Sequence, residues 1–274
     1  MKKPLKLLCL GLSLITTLAF TAGCGDSKNA ADSSKDKVIK VGVTAGPHAE
    51  LMDEVKKLAE KQGLKIQVVE FNDYIQPNVA LQQGDIDVNS FQHDPYLKNI
   101  IKDRGYDIVN IGKTVIFPMG IYSKKVKDLS QLPDGATIAV PNDPTNGGRG
   151  LLLLEQKGVI KLKPNAGLTA TAADIAENPK HLKVKELDAA QIPRSLDDID
   201  AAAINTNYAV TAGLNPLKDA IALEGGESPY ANIIAVRGKD KENPDYQKLV
   251  KIYQSDEMKA FIKDHFKGSV IAAW

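Results

Sequence analysis

The sequence predicts an α/β protein with mostly parallel sheets arranged as two lobes. Three observations carry this. Short β-rich runs alternate with helical periodicity along most of the chain. The alternation runs in two successive sets. Several unusual polar motifs directly follow strands, where α/β sheets present ligand sites and where two lobes would form a cleft.

In the first set, "VIKVGV" (38–43) is a strand. "HAELMDEVKKLAEKQG" follows it, with Leu51, Met52, Val55, Leu58 and Ala59 at helical spacing and Gly63 as the expected C-terminal cap. "LKIQVVEF" (64–71) is a second strand. A short helix follows Pro77, and "IDVNSF", "YDIVNI" and "TVIFPMGIYS" are further strand candidates. The second set opens with strand "ATIAVP" (136–141) and helix "TNGGRGLLLLEQKG", ending near Gly158. Strands "LKVKEL" (182–187), "IDAAAIN" (199–205) and "ANIIAVRG" (231–238) follow. Two helices close the chain. One is capped by Asn243 with Pro244 in its first turn; the other buries Met258, Phe261, Ile262 and Phe266.

Ahead of this domain, Lys2, Lys3 and Lys6 flank the apolar run Leu7–Phe20. Fourteen helical residues reach roughly 21 Å, short of a ~30 Å bilayer core. Residues 1–23 therefore read as a signal peptide. Cys9 lies inside it, which leaves Cys24 as the one cysteine of the exported chain and no internal disulfide. Cys24 directly follows Thr21-Ala22-Gly23, an arrangement similar to a bacterial lipobox, although Thr21 stands where an aliphatic residue is usual. Cys24 is the expected lipidation site, and residues 24–37, small and polar, are the expected flexible tether.

The chain carries a net charge of +1, with the leader contributing three of its cations, and no basic stripe points to nucleic acid. The four histidines, His48, His93, His181 and His265, form no metal-ligand spacing. No nucleophile motif accompanies His93. Neither a metal, nor another cofactor, nor catalysis is expected.

Four segments remain as candidate ligand sites. "VPNDPTNGGRG" (140–150) leads from a strand into a helix whose N-terminus would favour an anion, with Asn146 nearby and Arg149 as a planar cationic fork; an exposed capped helix is the alternative. "INTNYAV" supplies Asn205 and Asn207, either amide ligands or helix caps. "ESPYANIIAV" places Asn232 where a loop enters a strand. "FNDYIQPNVALQQGDIDVNSFQHDPYL" (71–97) gathers Tyr74, Gln76, Asn78, Phe91, His93, Asp94 and Tyr96, an aromatic pocket wall or a core cluster. Asp94, just before Pro95, reads as a turn or helix cap.

Together, "DYIQPNVALQQGDIDVNSFQHDPYL", "GIYSKKVKDLSQLPDGATIAVPNDPTNGGRGLLLLEQ", "INTNYA" and "SPYANIIAVR" resemble the NlpA family of lipoproteins, the methionine-binding proteins of bacterial ABC importers. The likeness runs from about residue 38 to the C-terminus, with Gly150 where the family often has alanine. It implies a type II periplasmic-binding-protein fold with a two-crossover hinge. Lobe 1 would be 38–121 plus 232–274, and lobe 2 would be 122–231. It also implies roles. Arg149, with Asn146 beside it, would bind the α-carboxylate; Asn205 and Asn232 would hold the amino and carboxylate ends. Tyr74, Phe91, His93 and Tyr96 would enclose the thioether. Asn207, Gln76 and Asn78 are further candidates. The implied partners are L-methionine, with D-methionine or derivatives beside it, and an ABC permease with its ATPase. The implied protein is a monomeric, palmitoylated lipoprotein on the outer side of the cytoplasmic membrane. The residues leave open another apolar amino acid, a methionine-containing dipeptide, or an adhesion lipoprotein that keeps the fold.

Overall fold

The computed structural model describes residues 38–274. The expected signal peptide, the tether and Cys24 lie outside the described residues.

The chain begins with β1 (Val38–Thr44), α1 (Pro47–Glu60), β2 (Lys65–Phe71), α2 (Gln76–Gln83), β3 (Val88–Asn89), α3 (Asp94–Arg104) and β4 (Ile108–Lys113). Two short strands, β5 (Val115–Ile116) and β6 (Gly120–Tyr122), come next. The single strand read in "TVIFPMGIYS" is thus broken around Pro118, which has no N–H for a ladder. The second region holds β7 (Thr137–Pro141), α4 (Pro144–Gln156), β8 (Lys161–Leu162), β9 (Ile175–Glu177), β10 (Lys183–Leu187), β11 (Ala201–Ile204), α5 (Thr206–Thr211), α6 (Pro216–Asp219) and β12 (Ala220–Leu223). The chain ends with β13 (Ile233–Arg237), α7 (Pro244–Tyr253), α8 (Asp256–Phe266) and β14 (Ile271–Ala272).

Two five-stranded sheets organise these elements, ordered β2-β1-β3-β13-β4 and β10-β7-β11-β6-β12. In the first, β2, β1 and β3 are parallel, while β13 runs antiparallel to both β3 and β4. In the second, β10, β7 and β11 are parallel, while β6 runs antiparallel to both β11 and β12. The sheets are therefore mixed. Local strand–helix alternation predicts the parallel units, but the antiparallel strand of each sheet arrives from the other region of the chain, and nothing local marks its direction.

Both faces of each sheet are covered. Along β13, Ile234 and Val236 face a core built on α1, α7 and α8, whereas Ile233 and Ala235 face Leu81 of α2 and Leu97 of α3. The two-residue period of the strand separates the two cores. In the second sheet, Ile138 and Val140 pack against Leu151 and Leu154 of α4, while Ala139 and Ala202 meet Ile192, Leu196 and Ala209. Of the four residues expected to anchor α8, Met258, Ile262 and Phe266 are buried and Phe261 packs at the core's edge. Helix α1 ends at Glu60 with Lys61 as its C-cap, and Gly63 takes the positive φ of the following turn. Among the described residues, no helix is long and apolar enough to cross a membrane.

Candidate functional site

A cavity lies where residues carried by the two sheets meet. The eight residues to which the family resemblance assigned ligand contacts all line it: Tyr74, Phe91, His93, Tyr96 and Asn232 from the first sheet's side, and Asn146, Arg149 and Asn205 from the second's. His48, Gln92, Phe117, Thr206 and Asn207 complete the lining.

The aromatic wall is cross-braced. Tyr74, Phe91 and Tyr96 have ring centroids 6.0–6.3 Å apart, and the Tyr96 hydroxyl donates to the Tyr74 carbonyl at 2.9 Å. The Tyr74 hydroxyl donates to Oδ1 of Asn207 at 2.6 Å, joining the two sides. Burial raises the pKa of Tyr74 and of Tyr96 well above the usual phenol value.

His93 is fixed at both nitrogens. Its Nδ1 accepts from the Tyr96 N–H at 3.1 Å, so His93 is the N-cap of α3, and its Nε2 donates to Oδ1 of Asn146 at 3.2 Å. The capping role expected of Asp94 belongs to its neighbour. Asp94 instead takes the first helical position and pairs with Lys98 at 2.6 Å. Burial first, and then the charge of Arg149, lower the His93 pKa to about 3, so the ring is neutral.

Helix α4 does not offer an open anion site at its N-terminus. The Asp143 side chain occupies it, accepting from the Asn146 N–H at 2.9 Å and from Nδ2 of Asn146 at 2.9 Å. Burial raises the Asp143 pKa against these bonds. Asn146 is saturated on its other side as well, because Oδ1 also accepts from Nδ2 of Asn205 at 2.7 Å. Asn146 is thus a hub that orients its neighbours.

Arg149 is almost fully buried. Its Nε donates to Oε1 of Glu224 at 2.8 Å, and its Nη2 donates to Oε2 of Glu224 at 2.5 Å and to the Phe117 carbonyl at 2.8 Å. Its guanidinium carbon sits 4.4 Å from the Tyr230 ring centroid, a cation–π contact. Nη1 donates to no described residue.

The amides complete the polarity. His48 accepts from the Thr44 hydroxyl at Nδ1 (2.8 Å) and donates from Nε2 to Oδ1 of Asn232 (3.0 Å). Burial lowers its pKa to about 4, so it too is neutral. Nδ2 of Asn232 bonds to no described residue. Oδ1 of Asn205 and Nδ2 of Asn207 are buried without a partner among the described residues. The cavity therefore combines donors on Arg149, Asn232 and Asn207, an acceptor on Asn205, and an aromatic wall.

Two weaker candidates fall outside it. Gln76 is exposed, and Asn78 is buried in an amide triad with Gln92 and Asn89 behind the wall. Among the residues not singled out from the sequence, His48 and Glu224 do the most to shape the site's polarity. His48 follows Gly46-Pro47 at the carboxyl end of β1, a position that α/β sheets favour for ligand sites. Glu224 directly follows β12, but its partner is 75 positions away. Among the described residues, no group of His, Cys, Asp or Glu is placed to hold a metal ion.

The chain matches known proteins over most of its length. It is 50% identical over 265 residues to the D-methionine-binding lipoprotein MetQ of Salmonella typhimurium, covering 96% of each chain. Its fold superposes with a TM-score of 0.84 on a nutrient binding protein from Burkholderia cenocepacia bound to methionine, at 61% identity, covering 86% of this chain and 100% of that one. An ABC transporter periplasmic substrate-binding protein from Coxiella burnetii gives a TM-score of 0.83 at 51% identity, with 86% of this chain and 100% of that one covered. These neighbours share the fold and are named as binding proteins. The family profile described as NlpA lipoprotein matches residues 39–274, and the chain belongs to the NlpA lipoprotein family.

Proposed function

We propose that this protein is a lipid-anchored solute-binding protein that captures methionine between its lobes and delivers it to an ABC importer. The observation that carries the reading is the paired polarity of the cavity. Nη1 of Arg149 and Nδ2 of Asn232, with Nδ2 of Asn207 nearby, suit a carboxylate. Oδ1 of Asn205 suits an ammonium. Tyr74, Phe91, Tyr96 and the neutral ring of His93 suit a polarisable thioether. Asn146 holds His93 and Asn205 in place.

The two sheets are the lobes of this reading. The chain passes between them at Phe117–Met119 and again between Leu223 and Ile233. Hinge closure at these crossings is supported by bonds that already span the cleft, His93–Asn146 and Tyr74–Asn207. Delivery to a permease and its ATPase is supported by the transporter description of the Coxiella burnetii relative. Anchoring through Cys24, with the domain on the outer side of the cytoplasmic membrane, is supported by the leader's pattern and by the lipoprotein relatives.

The test is calorimetry and thermal shift on protein unfolded and refolded to strip ligand. The panel holds L- and D-methionine, other apolar amino acids and a methionine-containing dipeptide. L-Methionine is expected to give the largest shift. No response to any free amino acid would overturn the reading.

A further inference from the structure

Among the described residues, Arg149 is the one charged residue lining the cavity, and its charge is already matched. The Glu224 carboxylate takes both Nε and Nη2, with both side chains nearly buried, at 3% and 11% exposed. Glu224 is itself held rigidly. Oε2 accepts from the Met119 N–H at 3.0 Å, and the Glu224 N–H donates to the Met119 carbonyl at 2.9 Å. It does not line the cavity but sits behind Arg149, facing a separate groove. The cavity's two imidazoles are neutral. Asp143, the N-cap of α4 six positions before Arg149, is an acid and adds no positive charge. An entering monoanion would thus meet a neutral, buried ion pair, with no counter-charge of its own. A zwitterion brings both charges and meets donors for one and Oδ1 of Asn205 for the other.

We propose that Glu224 sets the charge selectivity of this site. By holding Arg149 as a neutral pair, it restricts the cavity to net-neutral ligands, so the site admits an α-amino acid and rejects the 2-hydroxy acid of the same shape. The proposal rests on the amino-acid-binding reading above. Glu224 acts through Arg149 and touches no ligand.

The experiment is calorimetric titration of refolded protein with L-methionine and with 2-hydroxy-4-(methylthio)butanoate, which is nearly isosteric but monoanionic at neutral pH. Wild type is expected to prefer methionine by ~100-fold or more, the scale of one uncompensated buried charge. Glu224→Gln keeps an acceptor for Arg149 but removes the charge. It should bind the hydroxy acid more tightly than wild type does and cut the preference by about tenfold or more. Glu224→Asp keeps the charge and should keep the preference, even if both ligands weaken. A purely structural role would weaken both ligands in parallel in both variants and leave the ratio unchanged, and that result overturns the proposal. Wild type alone provides a second reading. Its hydroxy-acid binding, followed in buffers of different ionisation enthalpy, should take up about one proton, whereas methionine binding takes up none. Equal affinity of wild type for the two ligands also overturns the proposal. Failure of wild type to bind methionine at all instead sinks the amino-acid reading.

Discussion

Nε2 of His48 donates to Oδ1 of Asn232 at 3.0 Å, and this bond decides which end of the Asn232 amide remains for the cavity. The backbone of Asn232 is pinned separately, its N–H to the Val115 carbonyl at 2.7 Å and its carbonyl to the Thr114 N–H at 2.8 Å. Only the side chain could turn, and His48 prevents it. His48→Phe keeps a ring against Phe117, now 4.5 Å away centre to centre, but frees the amide. Methionine affinity is expected to fall by about 1–2 kcal/mol. In an Asn232→Ala background the same change should cost nothing further. Calorimetry on the four proteins of the cycle checks this.

Arg149→Ala removes the cavity's cation and strands Glu224. Methionine affinity should drop by roughly 2–5 kcal/mol, much of it the cost of an unpaired buried charge. Unchanged affinity by calorimetry would place the carboxylate site elsewhere.

Buried imidazoles link stability to pH. His48 and His93 have folded pKa values of about 4 and about 3, both below the ordinary 6.5. Between those values and 6.5 the unfolded chain binds protons that the folded protein does not, so stability falls as pH drops through that window. The melting temperature should hold near neutrality and decline from about pH 6 downward. His48→Gln should flatten part of that decline; an unaltered slope in melting curves would rule out the His48 contribution.

Two glycines of α4 should behave oppositely. A Cβ on Gly148 would lie 2.5 Å from the Leu168 carbonyl oxygen and 2.8 Å from the Ala170 nitrogen, both backbone. Gly148→Ala is expected to cost about 1–3 kcal/mol or more. On Gly150 the Cβ would meet the Ala203 and Val140 side chains at 3.0 and 3.2 Å, which a slight shift relieves. Gly150→Ala should be close to neutral. Urea titrations of the two variants compare them directly.

Tyr74→Phe removes the 2.6 Å bond across the cleft to Asn207. Closure should weaken by about 1 kcal/mol. Lower methionine affinity together with a larger radius of gyration by small-angle scattering is the expected pair of results.

Much of the cavity was legible in the sequence because its residues sit in short motifs at strand ends. Asn146 and Arg149 follow β7 within one helical stretch, and Phe91, His93 and Tyr96 follow β3 within seven positions. Less legible were the effects of distant partners. Glu224 reads as an ordinary loop acid until Arg149 is brought to it from 75 positions away. His48 reads as a helix-start residue until Asn232 arrives from 184 positions away. Asp94 has the expected chemistry for an N-cap, yet the preceding histidine holds that position because its Nδ1 reaches the Tyr96 N–H. Mixed strand direction escaped for the same reason, since β6 and β13 are placed by crossings rather than by local pattern.

The position of β13 has a consequence for assembly. It lies between β3 and β4, which have no ladder to each other without it. Until residues 233–237 arrive, the first sheet is two fragments with facing unpaired edges. No contiguous stretch of the chain from its N-terminal side can close that sheet. Completion waits for a pairing between segments more than a hundred positions apart, the kind of non-local step that slows folding. The polypeptide therefore stays open along this seam through most of its synthesis, and the seam and the ligand cavity beside it are finished together by the arrival of Asn232 and β13.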